Sequence, residues 1–162
     1  MTRLTHTADP GPGAWKGGAG LPGTPAVIAS WGVLAGAARA ALPMIPPSEE
    51  GRARQAPLLR ELERAAARPA PAAVPERATD AARRLVETTL GGLREPAGTR
   101  PYDAERAHRL RRHVLTLVTL AAGEVAGAEL PDGTDERAAV FGALRAGRMA
   151  RGLLDDPTLA PR

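Results

Sequence analysis

Cysteine is missing from this 162-residue chain, lysine occurs once, at Lys16, and the aromatic residues are Trp15, Trp31, Tyr102 and Phe141 alone. Without cysteine there is no disulfide framework, no thiolate metal site and no cysteine nucleophile. So few aromatic side chains exclude a deep aromatic core and argue against a large enzyme fold or a multi-strand sandwich. Large aliphatic residues are sparse as well. Leu, Ile, Val and Phe together supply 30 residues, which falls under the level of ~20% at which disorder competes with folding. A net charge of only +4 argues against disorder throughout.

What is abundant is small. Alanine supplies 34 residues, and glycine and proline add 18 and 16. Arginine replaces lysine almost everywhere, a composition typical of a GC-rich bacterial genome. The pI near 10.8 looks like a nucleic-acid signature, yet 22 basic residues face 18 acidic ones. With one Lys, one Tyr and no Cys, almost nothing titrates between about pH 8 and 11, so a small positive excess drags the pI upward.

The pattern predicts an all-α protein: a small three-helix bundle with a C-terminal antiparallel helical hairpin, preceded by a largely disordered Gly/Pro/Ala-rich N-terminal region. Residues 1–25 carry Pro10, Pro12, Pro22 and Pro25 among many glycines and read as a disordered tail. Residues 26–68 read as weak helical segments, one over 26–42 and one from Pro57 to Arg68. The stretch PAPAAVP, residues 69–75, reads as a stiff linker and domain boundary. The bundle is expected over 76–156, with a short C-terminal tail over 157–162. Its first helix spans about Asp80 to Leu90, stopped by Gly91 and Gly92. The second runs from Asp103 to about Ala128, where Ala107, Leu110, Val114, Leu117, Ala121, Val125 and Ala128 step by three and four. The third covers Thr134 to Leu154, with Val140, Phe141, Leu144, Gly147 and Leu154 expected inside. A short connection between two long amphipathic helices makes a hairpin. Such an alanine-rich core is thin for its size. Leu115 and Leu120 lie off the main stripe, so the long helix needs company on two sides.

The apolar run Ala26–Leu42 has a heart, Ala26–Ala38, too short to span a bilayer, and the Gly/Pro preamble lacks the tight charged region of a signal peptide. A cytoplasmic protein with no membrane association is the expectation.

The chemical motifs are few. GPGAWKGGAG, residues 11–20, has neither the spacing nor the strand–loop–helix context of a phosphate loop. His108 and His113 sit about 140° apart on their helix, off the three- or four-residue spacing of a metal pair. Ser30 and Ser48, the two serines, have no local base. Glu124, Glu129, Asp132, Asp135 and Glu136 flank a turn where solvation is the default, and the last two suit a helix N-terminus. No catalytic residue, metal ligand or cofactor is expected.

One arrangement stands out. The long helix is basic early (Arg106, Arg109, Arg111, Arg112) and acidic late, and the next helix runs acidic to basic (Arg145, Arg148, Arg151). Folded antiparallel, the pair gathers its basic ends at one pole. Four arginines in the first turns of a helix oppose its dipole, either as a functional surface or as side chains that serve the bundle end.

From Leu110 onward, LRRHVLTLVTLAAGEV, LPDGTDER, RAGRM and a closing LL resemble a family of short, all-helical, functionally uncharacterised proteins of GC-rich bacteria loosely labelled natural-product biosynthesis proteins. The matching residues are His113, Glu124, Leu130, Pro131, Asp132, Arg137 and Arg148, and Gly123 departs from the family's Pro. The resemblance implies a helical fold and no activity.

The expected function is a non-catalytic helical interaction or accessory module. It would bind a protein partner or a second copy of itself through an apolar face of Leu110, Val114, Leu115, Leu117, Leu120, Phe141 and Leu144. The alternative is weak, phosphate-dominated nucleic-acid binding through a basic pole of Arg106, Arg109, Arg112, Arg148 and Arg151. Residues 76–162 carry 14 basic and 13 acidic groups, too even a balance for a strong steering field.

Overall fold

The computed structural model describes residues 24–45, 47–69, 74–93, 104–128 and 133–159. Among them are five α-helices and no strand: α1 (Thr24–Ala41), α2 (Glu49–Ala67), α3 (Glu76–Leu93), α4 (Ala104–Ala126) and α5 (Thr134–Leu154). Short 3₁₀ turns follow α1 at Leu42–Met44 and α5 at Pro157–Leu159. The expected all-α class is observed. The expected tail lies outside the described residues up to position 23.

The centre of the molecule is α1, which touches all four other helices. Pro25 sits in its first turn, where a missing N–H costs nothing, and Pro43 ends it in the 3₁₀ turn. Leu34, Ala35, Ala38, Ala41 and Leu42 are fully buried. A helix that is apolar all round belongs inside, and alanine lets neighbouring backbones come close. Helix α2 starts at the Ser48 cap, whose hydroxyl accepts the Gly51 N–H at 3.1 Å, with Glu49 and Glu50 in the dipole-favoured first turn. It therefore begins eight residues before the expected start at Pro57 and carries that proline inside.

Helices α4 and α5 form the expected antiparallel hairpin, the most extensive contact in the fold. A side chain on Gly147 would place its Cβ 2.7 Å from the Ala122 Cβ, so glycine sets the closeness of the two axes. The other side of α4 is covered from within the chain by α1 and α3.

Three expectations are corrected. Among the described residues five helices rather than three share the bundle, and the boundary drawn at 69–75 divides a single core: Trp31, Leu34, Leu58 and Leu62 cluster with Val114, Val118 and Ala143. Helix α1 has few large side chains, which made it read as weak, but small residues are what a central helix needs. Second, residues 157–159 are no loose tail, since Leu159 is buried against α2, where a Gly51 side chain would meet its Cδ2 at 2.7 Å. Third, α3 runs through Gly91 to Leu93 rather than stopping at the glycines.

Candidate functional site

The expected apolar face is largely consumed by the fold. Val114 is fully buried and Leu115 is 1% exposed, so neither offers a surface. Leu110, Leu117 and Leu144 pack against the core from its edge. Only Leu120 and Phe141, at 45% and 51%, stay exposed, and Phe141 thereby departs from its expected place inside the hairpin.

The basic pole is partly structural. Antiparallel pairing brings the start of α4 beside the end of α5, where helix carbonyls lack intrahelical partners. Arg112 donates to the Leu154 carbonyl at 2.8 Å. The buried Arg111 donates to the carbonyls of Leu159 and Ile45, both at 3.1 Å. His108 Nδ1 lies 2.9 Å from the same Leu159 oxygen, a contact in which only the nitrogen can donate, since a carbonyl only accepts. Arg109 pairs with Glu105 at 3.7 Å. Arg106 is half-buried, whereas Arg148 and Arg151 are exposed. Among the described residues no cluster of His, Asp and Glu has the makings of a metal site.

A different site emerges between α1, α2 and α5. A cavity of about 420 Å³ is lined by Ile28, Trp31, Val33 and Gly36 of α1, by Glu61, Arg64, Ala65 and Arg68 at the C-terminal end of α2, and by Ala138, Gly142 and Arg145 of α5. It exists because three helix faces present glycine and alanine: Gly32 and Gly36 oppose Ala65 and Ala66, and Ala138, Ala139 and Gly142 lie on the third side. A Cβ on Gly142 would meet nothing closer than the Glu61 carboxylate at 3.8 Å.

Glu61 is the polar centre. Its side chain is only 8% exposed, and its Oε1 lies 2.8 Å from Arg64 Nη1 and 3.3 Å from Arg145 Nε. Arg145 Nη2 reaches Oε2 at 3.4 Å. A buried carboxylate requires such partners. Arg68, at the rim, donates to the Asp135 carbonyl and ties α2 to the first turn of α5. Trp31, 3% exposed, lines the cavity, and its buried Nε1–H has no hydrogen-bond partner. An unmatched buried donor is uncommon and costly.

Compared with known proteins, the chain matches no family model, no curated protein and no solved structure. The resemblance drawn from residues 110–154 therefore rests on its letters alone. Its His113 is exposed on α4, remote in sequence from every cavity residue on α1 and α2, and Leu130, Pro131 and Asp132 lie outside the described residues.

The cavity residues escaped sequence reasoning. Gly32 and Gly36 are one turn apart, as are Glu61 and Ala65, and a small-residue pair at that spacing was the available signal. Nothing local tells that α5 brings Arg145 to Glu61, 84 positions away.

Proposed function

We propose that this chain is a non-catalytic helical binding module that holds a small, mostly apolar molecule in the α1–α2–α5 cavity. The observation that carries this reading is the cavity itself. Its volume, about 420 Å³, falls in the range of ~300–1,000 Å³ typical of ligand pockets, and its lining sets an apolar side of Ile28, Trp31 and Val33 against the charged Glu61, Arg64, Arg68 and Arg145. No candidate nucleophile or acid–base pair stands in it: the carboxylate is committed to two guanidinium groups.

The test uses N-phenyl-1-naphthylamine, a neutral dye that brightens in apolar surroundings. The intact protein is expected to bind it with one-to-one stoichiometry and to gain thermal stability in proportion to occupancy. Gly142→Leu, which places a side chain in the cavity, should abolish binding while leaving helicity intact. Equal dye binding by Gly142→Leu would refute the site.

A protein partner is the second reading, favoured by the exposure of Phe141, the chain's one phenylalanine. Phe141→Ser with Leu120→Ser should then abolish capture of that partner without changing dye binding.

A further inference from the structure

We propose that the ligand is a free anionic amphiphile, one carboxylate or phosphate group on an apolar body. This rests on the reading of the cavity as a ligand site. The donors and acceptors along the wall do not balance. Glu61 engages one N–H group of Arg64 and two of Arg145, whereas each guanidinium carries five. A ligand that supplies acceptors and no donors answers that surplus.

Charge points the same way. One carboxylate faces Arg64, Arg68 and Arg145, and the Arg64 and Arg145 side chains are 68% and 52% exposed at the mouth while Glu61 is deep. Guanidinium forks suit a planar carboxylate or a phosphate. Trp31, Ile28 and Val33 supply the apolar wall. Glu61 is thus a positioning residue: it gathers the two guanidinium groups and serves as their anion until a second one arrives. The apolar wall of Ile28, Trp31 and Val33 lies beside the arginines, so a dissolved molecule can present its anionic group and its apolar body to the cavity together.

The experiment titrates the intact protein with decanoate, decyl phosphate and decanol, all below aggregation, and with phosphatidylglycerol vesicles. Decanoate and decyl phosphate are expected to bind about tenfold tighter than decanol, the scale of one charge-assisted hydrogen bond. Arg145→Gln should erase that preference and leave decanol unchanged. Glu61→Gln, nearly isosteric, should raise decanoate affinity several-fold, an effect that a purely structural glutamate would not show. If Arg145→Gln fails to fold, Glu61→Gln carries the test alone. Equal affinity for decanol and decanoate would overturn the inference and leave the cavity reading standing. Binding to vesicles without binding of dissolved decanoate would overturn it too. Failure of all the single-chain probes would remove both readings.

Discussion

Arg111 illustrates how a side chain that opposes the local rule serves a distant element. It sits in the second turn of α4, where a cation is disfavoured, yet it is buried and holds the carbonyls of Ile45 and Leu159. Replacing it with Met keeps the aliphatic volume and leaves both oxygens without that donor. The expected loss is roughly 1–3 kcal/mol in urea unfolding, from the orphaned Ile45 carbonyl, since the Leu159 oxygen keeps His108 Nδ1 at 2.9 Å. Arg112→Ala, at an exposed site, should cost no more than about 1 kcal/mol. Near the same chain end, the hydroxyl and backbone N–H of Thr158, and then Arg54, hold the Asp156 carboxyl below its ordinary value of 3.8. A depressed folded pKa stabilises above the unfolded value and loses its effect as pH falls through the folded one. The stability gap between the parent and Asp156→Asn should therefore be full at pH 6 and shrink below about pH 4. A gap that ignores pH would contradict the assignment. The breach of the dipole rule was legible from Arg106 to Arg112. Its cause was not, because the accepting carbonyls lie 42, 48 and 66 positions away.

At the scale of elements, legibility followed periodicity. Helices α4 and α5 were readable because Leu and Val recur on one stripe against polar faces. Helix α1 was not, since it is apolar or small on nearly every side and a stripe needs a polar side to be seen against. The cavity had no local signature at all, being a property of three surfaces of small residues. Two glycines on α5 separate close packing from open space. Gly147→Leu must force α4 away, since the first carbon already meets Ala122 at 2.7 Å, and overpacking of this kind costs at least about 1–3 kcal/mol. Gly142→Ala meets only van der Waals neighbours and should stabilise by up to about 1 kcal/mol through helix propensity. Thermal unfolding of the two variants in parallel checks the opposite signs. Destabilisation by both would mean that no cavity adjoins Gly142.

For the whole molecule, the decisive feature is that one core joins all five helices. A fragment beginning at Glu76 loses Leu34, Leu42, Leu58 and Leu62 from that core. It should show no cooperative unfolding transition, while the intact chain melts as one unit. The same shared core places the cavity between the N-terminal and C-terminal halves, with Trp31 in the wall as a built-in reporter of the proposed binding. The most direct measurement is therefore the emission of Trp31 in a Trp15→Phe variant, which leaves it as the one tryptophan. Titrated with N-phenyl-1-naphthylamine, Trp31 should transfer its excitation to the dye in a saturable, one-to-one manner, and Gly142→Leu should remove the transfer while keeping the emission of a buried indole. Trp31 emission unmoved by the dye, or quenched alike in both variants, would contradict a binding cavity at the meeting of α1, α2 and α5.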